Sequence, residues 1–190
     1  MPSKANILDQ ALLMLGENII QNVNEDTTAA NTAAAFYDDA RGFVLQDIKP
    51  SFARKRAAPP AGVTSAPPGH DGYTYTLPTD CLTVVAVIAD HGYSPNYWTV
   101  EGRLLLTDYP VAYMLYIRNG EDLEAFMGGA FVQAFVSFLA HRMAMANVGS
   151  KDRANELLDN YVGLSDLARE LEGVQGSAQY LTNTQLSAVR

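Results

Sequence analysis

The sequence predicts an α+β protein that is mainly helical: a helical bundle with a small antiparallel β-meander inserted in it and an extended C-terminal arm. Three observations carry this prediction. Residues 27–48 repeat apolar side chains at three- and four-residue spacing, which marks one buried helical face. Residues 121–147 are apolar nearly all round, as suits the most enclosed helix of a bundle. Between them, residues 73–117 change to two-residue alternation and β-branched runs, the pattern of strands.

The first element is a helix over about 4–16. Ile7, Leu8, Ala11, Leu12 and Leu15 share a face, Ser3 is its cap, and Gly16 stands where a left-handed C-terminal residue is wanted. On the second helix, 27–48, the inner face is Ala33, Phe36, Tyr37, Ala40, Val44 and Ile48. Asp26 or Thr27 caps it. Pro50 ends it, because the residue before a proline is pushed out of the α region. Phe52-Ala53-Arg54-Lys55-Arg56-Ala57 follows, and residues 58–72, rich in Pro, Gly and small side chains, form a long irregular loop. Strands are expected over 73–77, 82–88, 97–100, 103–106 and 111–117, with Glu101-Gly102 a hairpin turn. The central helix over 121–147 carries Glu121, Asp122 and Glu124 in its first turn, where the helix dipole favours negative charge. Gly149-Ser150 turns the chain into a fourth helix over 151–172, with Ser150 as its cap. Ala154, Leu157, Leu158, Tyr161, Leu164, Ala168 and Leu171 mark its inner face, and Gly173 stops it. Residues 1–173 thus form one domain and 174–190 an arm.

Composition narrows the function. The chain has 190 residues, 48% of them apolar, enough for a real core. Only 18% are charged, against about 25% in an average soluble chain. Either partner subunits cover much of the surface, or an Ala-rich chain needs charge less. The net charge of -8 excludes an electrostatic DNA binder. Cys81 is the lone cysteine, so no intrachain disulfide and no cysteine-built zinc site is possible, which fits synthesis in a reducing cytosol. No apolar run reaches the ~20 residues of a membrane span, and the opening MPSKANILDQ lacks a signal-peptide core. A soluble protein made inside the cell is expected.

The search for chemistry returns little. HExxH, GxSxG, Walker and GxGxxG motifs are all missing. A metal site can be imagined from His70, Asp71, Asp80 and His91, but no spacing among them demands a metal; none is expected, and no cofactor either. His141 is expected as a hydrogen-bonded core histidine, and Gly128-Gly129 as a close-packing site within a helix. Asp38 and Asp39 point about 100° apart on a helix, so they cannot share a substrate; Asp38 instead pairs with Arg41 one turn on. Arg54-Lys55-Arg56 is the only dense basic run. Phosphate contact, contact with an acidic patch on a neighbouring subunit, and a solvated helix end are all open to it.

In their order along the chain, several short words resemble the head-to-tail adaptor family of short-tailed phages, also called tail tubular protein A. They are Ala11-Leu12 with Leu15-Gly16; Asp26-Thr27 with Ala30; Tyr37-Asp38 with Arg41 and Leu45; Pro50 with Phe52-Ala53 and Arg56-Ala57; Tyr75-Thr76-Leu77-Pro78-Thr79-Asp80-Cys81-Leu82; Val100-Glu101-Gly102-Arg103 with Leu105; and Tyr116-Ile117. The resemblance covers residues 11–171. No single word is specific; the order is. Where the family usually has a tryptophan after the helix-ending proline, this chain has Ser51. The resemblance implies a virion protein of the neck, assembled in the host cytoplasm. It implies a twelve-subunit ring between the portal protein and the tail nozzle protein, through which DNA passes, with no catalytic residues and no membrane partner. It further implies that the C-terminal arm embraces the portal or the adjacent copy, with Gln179, Tyr180, Leu181, Gln185, Leu186 and Arg190 as contacts; an arm folded back on its own subunit is the alternative. A neck or tail-completion protein of different symmetry, or a small enzyme, are the competing classes.

Overall fold

The computed structural model describes residues 2–16, 28–58, 67, 69, 71–89, 98–120, 122–147 and 149–174. It is an α+β fold with four helices and six strands among these residues. The expected helices are all present. Helix α1 (Lys4–Met14) starts with the Ser3 hydroxyl accepting from the Asn6 N–H at 3.3 Å. It buries Ile7, Leu8, Ala11 and Leu12. Gly16 follows at φ +75°, left-handed as expected. The second helix, α2 (Thr28–Ile48), buries Ala33, Tyr37, Ala40, Val44 and Ile48. Its expected cap, Asp26 or Thr27, lies outside the described residues.

The exit from α2 has a particular geometry. Lys49 is the one non-glycine residue at positive φ (54°) among the described residues. Pro50 denies it the α region, and a left-handed residue lets its N–H close the helix onto the Leu45 carbonyl at 3.0 Å. The Arg54 guanidinium then grips the Lys49 carbonyl through Nε (3.3 Å) and Nη2 (3.2 Å). A 3₁₀ turn, Ser51–Ala53, leads directly into strand β1 (Arg54–Ala57).

Strands β2 (Tyr73–Thr76), β3 (Cys81–Ala89), β4 (Trp98–Glu101), β5 (Leu104–Thr107) and β6 (Val111–Arg118) complete the β part. They do not form one meander. They form two three-stranded antiparallel sheets, ordered β1-β6-β3 and β2-β5-β4. The insertion therefore begins at Arg54, well before the expected residue 73. Gly102, at φ +61°, turns the β4–β5 hairpin. The first sheet is sandwiched. Ile117, Leu82 and Val85 join the helical core, while Met114, Tyr116, Val84 and Val87 join a second core with Leu77, Cys81 and Leu105 of the other sheet. Successive residues of a strand face opposite ways, so β6 serves both cores, and β3 is half-buried over most of its length.

Helix α3 (Gly129–Asn147) is the most enclosed element, packed by α1, α2 and α4 (Lys151–Val174). Phe131, Phe135, Phe138 and Leu139 are all buried. It starts later than expected: Leu123–Phe126 is a separate 3₁₀ turn, so Asp122 and Glu124 precede the helix. Gly129 is its first residue and Gly128 lies outside it. A Cβ at either glycine meets nothing within 4 Å, so they are not a packing contact. Ser150 caps α4 by accepting from the Arg153 N–H at 3.3 Å, after Gly149 at φ +66°. Gly173 does not stop α4, which runs through it to Val174. Ala154, Leu157, Tyr161 and Ala168 are buried as expected, but Leu158 and Leu171 are exposed. Two polar contacts lock α3 to α4: Ser137 Oγ donates to the Leu157 carbonyl at 3.0 Å, and His141 Nδ1 lies 2.8 Å from the Ala154 carbonyl. No described helix is long and apolar enough to cross a membrane.

Candidate interaction surfaces

The basic run is the expected contact site that the structure describes. Arg54, Lys55 and Arg56 lie in β1, which among the described residues is an edge of the first sheet and pairs only with β6. The reading as a solvated helix end is thereby overturned: the 3₁₀ turn after Pro50 and the free edge of β6 recruit the segment into a strand. All three side chains are exposed. Arg56 lies over the Tyr113 ring at 5.0 Å, a cation–π contact. Charged side chains on an edge strand discourage further strand pairing.

Lys55 points to the other side of the strand, into a clasp. Its Nζ lies 2.8 Å from Asp80 Oδ2, and the Tyr116 hydroxyl donates to Asp80 Oδ1 at 3.0 Å. Asp80 is the last residue of the link between the two sheets, directly before β3, so one carboxylate joins β1, β3 and β6. Partial burial opposes its ionisation, but the bonds from Lys55 and Tyr116 outweigh that and hold its carboxyl below the usual range. The bond to Asp80 raises the Lys55 ammonium, and burial followed by the Asp80 bond raises the Tyr116 hydroxyl. Arg103 holds the same link from the hairpin side, donating to the Cys81 carbonyl at 3.1 Å, the Leu77 carbonyl at 3.2 Å and the Pro78 carbonyl.

The clasp has a pH signature. A depressed carboxyl pKa contributes stability that is present above the unfolded value, about 3.9, and is lost as pH falls through the lower folded value. The raised Lys55 pKa contributes stability present below about 10.4 and lost as pH rises through the folded value. Asp80→Asn is therefore expected to be less stable than the parent near neutrality, with the two converging below about pH 3.9. Denaturant midpoints across the acid range check this; a gap that stays constant as the acid limb is crossed would place its origin elsewhere.

A second polar cluster was not foreseen. Glu124 Oε1 accepts from Arg41 Nη1 at 2.8 Å and from the Tyr37 hydroxyl at 3.0 Å. Arg41 and Glu124 are only 6% and 7% exposed. The expected Asp38–Arg41 pair is present at 3.1 Å. Burial, then the Glu124 charge, drives the Tyr37 hydroxyl far above its ordinary pKa; it is a fixed donor rather than an acid. Among the described residues Arg41 Nε and Glu124 Oε2 have no partner. The cluster borders an open cavity of about 530 Å³ that Lys4 and Asp122 also line. Asp122 is held by Arg118 at 2.7 Å. This is a pin between α2 and the 3₁₀ turn before α3. Only the spacing of Asp38 and Arg41 hinted at it; the partner, Glu124, is remote in sequence.

His70 and His91 lie outside the described residues, as do Gln179, Tyr180, Leu181, Gln185, Leu186 and Arg190, so the arm contacts have no structural description. Asp80, the one ligand candidate with described contacts, is engaged by Lys55 and Tyr116. Among the described residues no group of three His, Cys, Asp or Glu side chains is placed to hold a metal. No protein-family model and no curated protein matches this chain.

Proposed function

We propose that this chain is a head-to-tail adaptor of a short-tailed phage: one subunit of a twelve-fold ring between portal and tail nozzle, through which DNA passes. The observation that carries the reading is where the family-like words fall. Leu15-Gly16 ends α1. Tyr37, Asp38 and Arg41 build the buried pin. Pro50, Phe52-Ala53 and Arg56-Ala57 make the turn from α2 into β1. The run from Tyr75 to Leu82 links the two sheets and supplies Asp80, and Arg103 after the Glu101-Gly102 turn ties the hairpin to that link. These words sit at joints of the fold, while Ala11-Leu12 and Leu45 fall on buried helix faces and Tyr116-Ile117 lies within β6. The net charge of -8 suits a passage for DNA, since a like-charged wall lets phosphates slide rather than stick.

The arm is the proposed portal contact. Because α4 extends to Val174, the arm begins at residue 175. Beyond it Arg190 is the only charged residue, among many hydrogen-bonding side chains, and Tyr180, Leu181 and Leu186 are large apolar anchors. Such a segment is too polar to form a core alone and suited to lie across another protein. The test is co-purification with the portal protein, followed by imaging of the complex. A ring seated on the portal is expected. Deleting residues 175–190 is expected to leave Tm nearly unchanged while abolishing co-purification. Full-length protein that ignores the portal sinks the adaptor reading; a truncated protein that binds normally sinks only the role of the arm.

A further inference from the structure

Helix α4 carries apolar side chains beyond its buried stripe. Leu158 and Val162 flank the stripe on one side, Leu167 and Leu171 on the other. At about 100° per residue the two pairs stand roughly opposite each other, and Val162 and Leu171 are 51% and 50% exposed. A contiguous exposed apolar surface commonly marks a contact site.

The first side is a ridge. Here α2 is the neighbour: Asp47 pairs with Arg169 at 2.6 Å and accepts from the Tyr161 hydroxyl. One turn before Asp47, Phe43 stacks on Phe138 at 4.5 Å and lies 6.3 Å from Tyr161, yet stays half exposed. Phe43, Leu158 and Val162 thus stand together. Asp159 and Asp166, one turn before and one turn after Val162, are exposed on the outward side of α4 beside them. Asp166 also pairs with Arg169 at 2.7 Å. Arg169 is thus shared between Asp47 and Asp166, so the ridge keeps an acidic margin.

The second side is a cavity of about 350 Å³ between the start of α3 and the end of α4, walled by Phe131, Ala168 and Leu171 and open above Gly128 and Gly129. At its rim the Ser51 N–H donates to Glu172 at 2.7 Å, and Phe52 meets the Phe131 ring edge-on at 5.0 Å. Strand β1 starts directly after this turn and carries exposed Arg54 and Arg56.

We propose that the ridge of one copy seats in the cavity of the next, with Asp159 and Asp166 meeting Arg54 and Arg56. The proposal rests on the ring reading above and names the surfaces that make the ring. The occupant is a second copy because one chain supplies both halves, apolar against apolar and acidic against basic. Ridge and cavity lie on different sides of α4, so the contact is heterologous: it propagates from copy to copy instead of closing as a twofold dimer.

Disulfide trapping tests it, with buried Cys81 left in place. At high protein concentration, Asp159→Cys/Arg56→Cys and Val162→Cys/Gly128→Cys chains are each expected to oxidise into ladders of dimers, trimers and larger species. A mixture of the two single variants of either pair should stop at dimers. Asp159→Lys added to the Val162/Gly128 pair should abolish its ladder, and Arg56→Glu in the same chain should restore it. Both residues of the Asp159/Arg56 pair are exposed, so its folding matches the parent even if the cavity pair is perturbed. Disulfide dimers from Asp159→Cys alone would show a twofold contact and overturn the proposal, as would the absence of a ladder from both pairs. The mass of the portal-bound parent is read separately. Rings without ladders sink this contact and leave the adaptor reading standing; ladders without rings do the reverse.

Discussion

Glu124→Ala is expected to destabilise the protein by about 3–5 kcal/mol, the range for breaking one side of a buried ion pair. For a chain of this size that lowers Tm by roughly 6–20 °C. The loss comes from Arg41. Arg41 is 6% exposed, and without Glu124 only Asp38, itself mostly in solvent, remains to balance it. Tyr37 loses its acceptor as well. Glu124→Gln keeps an acceptor oxygen for both donors and should lose less. Exchanging both partners, as Glu124→Leu with Arg41→Met, should also lose less than Glu124→Ala alone, because no buried charge is stranded. The magnitude discriminates between two placements of Glu124. In the first turn of a surface helix it would interact with the helix dipole for about 0.3–1 kcal/mol. Thermal or denaturant unfolding of Glu124→Ala decides, and a loss within that smaller range would remove the pin.

That contrast shows what the sequence could and could not disclose. The faces of α1 and α2 were legible because a buried stripe writes its period locally; Tyr37 and Val44 each lie where their spacing puts them. Ser3, Gly16 and Ser150 were legible because capping chemistry is local too. Glu124 was not. Nothing near it announces that the chain pauses in a 3₁₀ turn, or that a cation on another helix, far along the sequence, is waiting for it. Strand β1 was hidden for a similar reason. Arg54-Lys55-Arg56 has no apolar alternation, and it is a strand only because β6 offers an edge. Local alternation finds strands but does not say which pairs with which, so two sheets were expected as one. Leu158 and Leu171 followed the helical period and still ended exposed, since period shows a direction and not whether a neighbour is there to cover it. Of the candidate contacts, the basic run was legible as charge but not as structure.

Phe135→Ala is expected to be as severe as Glu124→Ala, at about 3–5 kcal/mol, the usual loss for a buried phenylalanine truncated to a methyl group. Phe135 is fully buried in the middle of α3. Its ring lies 5.2 Å from that of Tyr37 and 6.4 Å from that of Phe131, so the deletion opens a hole that its neighbours on two helices fill only in part. Phe135→Leu, which refills most of that space, should recover a large part of the loss. The Tyr37 contact couples this site to the pin: the ring packs on Phe135 while the hydroxyl bonds Glu124. Removing Phe135 frees the Tyr37 ring to shift, which already weakens the bond that Glu124→Ala deletes. The double variant should therefore lose less than the sum of the single variants, with a coupling of about 0.5–3 kcal/mol. A double-mutant cycle by urea unfolding measures it. Strict additivity, within about 0.3–0.5 kcal/mol, would mean that Tyr37 is fixed by the rest of α2 and that core and pin are independent; a Phe135→Ala protein that melts like its parent would remove α3 from the centre of the fold.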